Sequence, residues 1–129
     1  MSYNAYEQAP SGLPCGSTVS ALSDSTGYAV KLSAGVLALS SAQGERTLGP
    51  LTIQVTKTGQ YAAPHAIPGE KVLLKVGSNG ATAGSEATSA GDGRWENGAS
   101  GDWIHATFLE TGGENSRVWA YIVDGYTKS

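Results

Sequence analysis

The chain has 129 residues; 18 are glycine, about twice ordinary usage, and only 15% are charged. A net charge of −3 without a basic stripe provides no surface for neutralising phosphates, which excludes nucleic acid as an expected partner. No apolar run approaches the roughly 20 residues a membrane-spanning helix needs, and an apolar share of 40% is too high for a disordered chain.

Residues 1–17, MSYNAYEQAPSGLPCGS, show no periodicity, and Pro10, Gly12, Pro14 and Gly16 oppose both helix and central strand. They read as an extended arm, with Tyr3, Tyr6 and Leu13 as its anchoring side chains; the folded domain is expected over residues 18–129. Strands are predicted at 18–23 (TVSALS), 28–32 (YAVKL) and 36–40 (VLALS). The turn-forming sets Asp24-Ser25-Thr26-Gly27 and Ser33-Ala34-Gly35 separate them. The clearest alternation is 51–57, LTIQVTK, with Leu51, Ile53 and Val55 on one face and Thr52, Gln54 and Thr56 on the other. A short strand at 59–63, a loop bracketed by Pro64 and Pro68, and a buried strand at 71–76 (KVLLKV) follow.

Residues 77–102 contain seven of the glycines and one large apolar side chain, Trp95. Asn79-Gly80 and Asn97-Gly98 carry the chemistry of type I′ hairpin turns. The stretch is either a set of short edge strands between tight turns or a flexible loop; a helix over 84–91 is disfavoured by its Gly and Ser ends. The chain closes on a hairpin of 103–110 (WIHATFLE) and 117–123 (RVWAYIV) around the loop TGGENS. Both strands carry apolar residues on both faces, so a partner is one possible cover for the outer face. The whole pattern predicts an all-β fold, a single small antiparallel β-barrel or sandwich with an extended N-terminal arm and long Gly-rich loops.

No catalytic set emerges, and the chain is not expected to be an enzyme. His65 lies between prolines, His105 lies on a strand, and Cys15 has no Cys-His pattern around it. Asp92, Glu96 and Asp102 sit among glycines without the spacing of a calcium loop, so no metal and no cofactor is expected. GERTLGP and GSNG match neither a P-loop nor a dinucleotide fingerprint. With one cysteine the chain can form no internal disulfide, and MSYNAYEQAP lacks the charged and apolar regions of a signal peptide. Synthesis in a reducing cytoplasm is the expectation. Charge is uneven: residues 45–76 sum to +2, with Arg46, Lys57, Lys71 and Lys75 against Glu45 and Glu70, whereas residues 77–129 are acidic. Trp95, Trp103, Trp119, Tyr61 and Tyr121 are candidate stacking platforms or core; Trp95 stands out because its surroundings in sequence are polar.

Three segments together, GYAVKLSAGVLALSSAQGERTLGPLTIQV, AIPGEKVLLKVGSNGATAG and GDWIHATFLETGGENSRVWAYIV, resemble the capsid cement (decoration) proteins of tailed bacteriophages. The resemblance spans roughly residues 18–123 and rests on architecture: PGEKVLLKV, an Asn-Gly turn, and a final hairpin in which ATFLE precedes a glycine-containing loop. It implies a non-enzymatic virion protein, made in the host cytoplasm, that binds the outer surface of the assembled capsid and stabilises it. Its partner would be the major capsid protein, and a homotrimer is the favoured assembly. Tyr3, Tyr6 and Leu13 are then the arm's capsid contacts and Trp95 an exposed loop contact. The alternative is a carbohydrate- or host-surface-binding β module of a phage tail or capsid, with Trp95 as its platform.

Overall fold

A computed structural model describes residues 12–129. Three antiparallel sheets make up its regular secondary structure apart from one helical turn. Strands β1 (Leu13–Pro14) and β5 (Tyr61–Ala62) pair as a two-stranded ribbon. β2 (Ala29–Ser33) lies between β3 (Val36–Leu39) and β4 (Gly49–Pro50). The largest sheet combines β6 (Lys71–Lys75), β7 (Glu86–Ser89), β8 (Trp95–Asn97), β9 (Trp103–Phe108) and β10 (Arg117–Thr127) in the order β6-β10-β9-β7-β8. Its two edge strands come together at one end through a single parallel bridge, Val76 to Trp95. The sheets do not close into a barrel; of the two expected architectures the chain adopts the sandwich-like one.

Burial explains the layering. One core lies on the inner face of the five-stranded sheet and includes Leu74, Trp95, Phe108, Val118 and Ile122. A second gathers Cys15, Val19, Val30, Leu37, Leu51 and Val55. Strand side chains alternate between faces, and β2 uses that alternation to serve both cores. Ala29 belongs to the first and its neighbour Val30 to the second. β2 and β3 are joined by Ala34-Gly35, both at positive φ, which is what a two-residue primed turn between twisted strands demands.

Several expectations are corrected. Residues 18–23 form no strand; Ser17–Ser20 is a single helical turn, α1, that buries Val19 alone. With one apolar side chain to place, one turn closed by the Ser20 N–H to Gly16 carbonyl bond is sufficient. The alternating 51–57 segment is irregular, with bends at Ile53 and Lys57, and joins no ladder beyond Leu51, which exchanges bonds with Gly27 and Tyr28. Side chains take the place of a neighbouring strand at several of its backbone groups. The buried Val55 N–H donates to Ser25 Oγ at 2.7 Å, and the Thr56 N–H donates to Gln60 Oε1 at 2.9 Å. Ile53, assigned by alternation to the buried face, is exposed. Replacing Ser25 with Ala orphans a buried N–H, at a cost of about 1–3 kcal/mol, which chemical denaturation will read directly.

The 77–102 stretch is ordered, as the hairpin β7–β8, with Ser89 opposite Trp95 and Ala87 opposite Asn97. No helix forms over 84–91. Neither Asn79 nor Asn97 has positive φ, so neither Asn-Gly pair makes a type I′ turn. Asn97 sits on β8, where its side chain accepts the Thr82 N–H and donates to the Thr82 hydroxyl. Nor does the arm extend to residue 17. β1 pairs with β5, the Cys15 N–H donates to the Gln60 carbonyl, and the Gly16 N–H donates to the Leu37 carbonyl. Residues 13–16 are therefore part of the folded domain.

The turn after β3 is organised by one carboxylate. Glu45 Oε2 accepts the N–H groups of Ser41 and Ala42 at 2.7 and 2.6 Å and the Ser40 hydroxyl at 3.1 Å, while Lys31 reaches Oε1 at 3.3 Å. Burial pushes the Glu45 carboxyl up, but these donors to the charged form outweigh it and hold the group below its ordinary 4.5. A carboxyl depressed on folding stabilises the fold above its unfolded value, and the contribution is lost as pH falls through the folded one. Glu45→Gln will therefore lower the melting temperature at pH 7, and the gap from the parent chain will narrow below pH 4.5.

Candidate docking face

Several exposed apolar side chains gather where β6 and β10 meet the 51–70 region. On β6, Val72 and Leu74 point into the core, so Lys71 and Leu73 must point out. The register sets Leu73 opposite Trp119 and Lys71 opposite Tyr121 on β10. Trp119 is 38% exposed, and the Lys71 ammonium lies 4.6 Å from the centroid of its ring. A cation over an indole face is attracted by the ring quadrupole, which ties the two side chains together on this face.

Two grooves run from this ridge. The first, about 380 Å³, lies between Leu73, Trp119 and Lys71 on one side and Leu51, Thr52 and His65 on the other. The second, about 490 Å³, runs among Ile53, Tyr61, Pro64 and Ile67. Thr52 and His65 line both grooves, so the two lie side by side and make up one trough-like face. Ile67 is its most exposed large side chain, at 60%. His65 Nε2 contacts Glu70 Oε2, so the imidazole is tethered at the junction rather than free to act on a bound group.

The residues singled out by sequence are placed as follows. Tyr3 and Tyr6 lie outside the described residues. Leu13 is half-buried on β1 against the second core, which makes it a part of the domain and not a free arm contact. Trp95, expected as an exposed loop contact, is fully buried on β8. Its polar sequence neighbours face away from it: Glu96 accepts from Asn79 and Gln43 at 3.0 and 3.1 Å, and Arg94 pairs with Asp92 and Glu114. Of the three acids weighed as cation ligands, Asp92 is thus held by Arg94. Asp102 accepts from Gln43 Nε2 and the Ala99 N–H, and Glu96 shares the same Gln43 amide. Among the described residues no three His, Cys, Asp or Glu side chains gather to hold a metal ion.

Cys15 is buried, and desolvation raises its thiol above the ordinary 9.0, so the nucleophilic thiolate is suppressed. His105 lies on β9 and is buried too, far from Cys15's core neighbours in sequence and packed beside Trp103. The trough itself offers packing surface, one ammonium and one imidazole–carboxylate contact.

Ile53, Ile67 and Leu73 escaped the sequence reading as exposed groups. For Leu73 a signal existed: in KVLLK it shares a strand face with Lys71 and Lys75, and two lysines mark a face that meets water. No protein-family model and no curated protein matches the chain.

Proposed function

We propose that this protein is a capsid cement protein: a virion component that binds the outer surface of an assembled phage shell through the trough described above and stabilises it. The observation that carries the reading is the apolar trough of Ile53, Tyr61, Ile67, Leu73 and Trp119 on a small all-β domain. Contiguous apolar surface rimmed by polar groups is the usual mark of a protein-binding face. Its side chains come mostly from residues 45–76, the segment with a +2 charge sum, which suits an acidic shell. The major capsid protein is the partner, and a homotrimer presents three such faces at once, so that modest single contacts sum to firm attachment. The architectural resemblance to cement proteins noted from the sequence is the remaining support. The alternative of a glycan module built on Trp95 loses its platform, because that indole is buried.

The test is the copy number of the protein in purified virions, by quantitative mass spectrometry against the major capsid protein. Hundreds of copies in a simple ratio are expected; a handful, or none, overturns the reading. Rebinding to stripped capsids assigns the face. Leu73→Glu and Ile67→Glu each place a charge on the trough and will weaken binding at least tenfold with little change in melting temperature. A chain lacking residues 1–11 measures the arm's share without removing β1, which a cut at residue 17 destroys.

A further inference from the structure

The two Asn-Gly pairs, Asn79-Gly80 and Asn97-Gly98, form no primed turn, but the dipeptide has a second chemistry. The glycine nitrogen, with no Cβ to shield it, can attack the asparagine side-chain carbonyl carbon. A C–N bond forms and closes a five-membered succinimide. The Cγ–Nδ2 bond breaks, and ammonia leaves with the proton of the glycine N–H. Water then opens the ring. Addition at the side-chain carbonyl leaves Asp; addition at the main-chain carbonyl leaves isoaspartate, whose backbone runs through Cβ. No enzyme is needed, only a chain loose enough for the nitrogen and the carbonyl carbon to meet.

The fold treats the two pairs differently. Asn97 lies on β8, where its Oδ1 accepts the Thr82 N–H at 2.9 Å and its Nδ2 donates to the Thr82 hydroxyl at 3.0 Å. The Gly98 N–H donates to the Glu86 carbonyl at 2.7 Å, and a Cβ at Gly98 would strike the Ile104 side chain. Nucleophile and amide are both held there. Asn79 is exposed, the third residue of the turn from Gly77 to Gly80. Among the described residues its amide makes one bond, from Nδ2 to Glu96 Oε1 at 3.0 Å. The Gly80 N–H makes only the bond that closes the turn, to the Gly77 carbonyl at 3.1 Å, and that bond opens whenever the turn does.

What the Asn79 amide holds sets the consequence of losing it. Glu96 is 5% exposed and Asp102 9%. Gln43 Nε2 donates to both, at 3.1 Å each, so amides and carboxylates alternate along Asn79, Glu96, Gln43 and Asp102. An ionised carboxylate at position 79 can only accept. It takes the donor from Glu96 Oε1 and sets a like charge beside a buried acid, and both changes oppose the fold. The effect falls on β8. The Gly77 N–H donates to the Trp95 carbonyl at 2.8 Å and the Asn97 N–H to the Gly80 carbonyl at 3.3 Å, which stitches the turn to that strand.

We propose that Asn79 is a modification site: spontaneous deamidation there, and not at Asn97, ages the folded protein and loosens the β7–β8 hairpin. The inference is independent of the capsid reading and uses none of the trough residues Ile53, Ile67, Leu73 or Trp119.

The experiment incubates the full-length protein in mildly alkaline buffer, folded and, in parallel, unfolded in urea. Trypsin cuts after Lys75 and Arg94, so the two pairs fall on separate peptides, and fragmentation mass spectrometry locates each conversion. In the folded protein Asn79 is expected to convert at least tenfold faster than Asn97. In urea the two rates should converge, because both pairs are followed by alanine, Ala81 and Ala99, and only the fold separates them. Asn79→Asp, which installs the product directly, should melt at a lower temperature than the parent. Four results overturn the proposal: Asn79 stays intact in the folded protein, Asn97 converts there as fast as Asn79, the same preference persists in urea, or Asn79→Asp melts with the parent.

Discussion

Trp95→Ala will destabilise the fold by about 3–5 kcal/mol, the range for emptying a large aromatic site in a core. Trp95 is 0% exposed and heads the fully buried side chains by volume. It sits on β8 with the first core beneath it, and its backbone carbonyl accepts the Gly77 N–H at 2.8 Å, next to the bridge that joins the sheet's two edges. Removing the indole therefore leaves a cavity at the point where both edges are pinned. Trp95→Phe separates volume from chemistry. Among the described residues the Trp95 Nε1–H has no hydrogen-bond partner, so the phenyl ring gives up no bond there while keeping most of the apolar contact. Equilibrium denaturation should rank the parent first, Phe a close second and Ala far below. An alanine variant within 1 kcal/mol of the parent would refute the core role of this residue.

Gly49→Ala will cost about 3 kcal/mol, although it adds one methyl group. Gly49 adopts φ +114°, outside the regions that side-chain-bearing residues favour, and that strain alone is worth about 1–3 kcal/mol. A Cβ at this position would collide with the His65 carbonyl oxygen and lie 3.2 Å from the carbonyl carbon. Both are backbone atoms, so no rotamer change relieves the contact. The His65 N–H is bonded to the Pro50 carbonyl at 2.8 Å, and moving the loop carrying residues 64–67 away from β4 breaks that bond as well. His65 and Ile67 line the trough, so under the proposed function the variant loses capsid binding together with stability. Leu73→Glu, by contrast, should lose binding alone. Protection of the His65 amide from hydrogen exchange is the local readout: fast exchange is expected in Gly49→Ala, and unchanged protection would show that the loop had not moved.

The closing hairpin was legible because its signal is carried by many residues at once. Ile104, Ala106 and Phe108 share a face in the sequence and in the structure, and Val118, Ala120 and Ile122 do likewise. The 51–57 segment carried a signal of equal clarity that meant something else. Alternation reports which side chains are buried, and Leu51 and Val55 are; it does not report whether a neighbouring backbone is available to pair. Here Ser25 and Gln60 side chains substitute for that neighbour, and their positions are fixed only by the tertiary fold. Trp95 failed for the same reason in reverse. Its polar neighbours in sequence spend their polarity on Gln43, Asn79, Asp92 and Glu114, which no local pattern reveals. The primed turn came from Ala34-Gly35 and not from either Asn-Gly pair: intrinsic preference for positive φ is about a kilocalorie or two, less than the packing that decides where a strand must reverse. The trough was the least legible feature, because it joins side chains from residues 51–73 with Trp119, and only the β6–β10 register brings them to one face.

The bridge between Val76 and Trp95 bears on how copies of this chain behave when crowded together. An open sheet ordinarily presents two free edges, each a template for a strand from another molecule. In this sheet the outer edges engage each other at one end. Along β6, the Lys75 N–H is already bonded to the Gly27 carbonyl, and Arg117 clasps the same segment through the Asp24 and Thr26 carbonyls. Few main-chain groups are left to recruit a neighbour. Molecules held shoulder to shoulder can therefore remain separate units instead of growing into fibres, and the contacts among them are left to side chains, which can be exchanged one at a time without altering the scaffold.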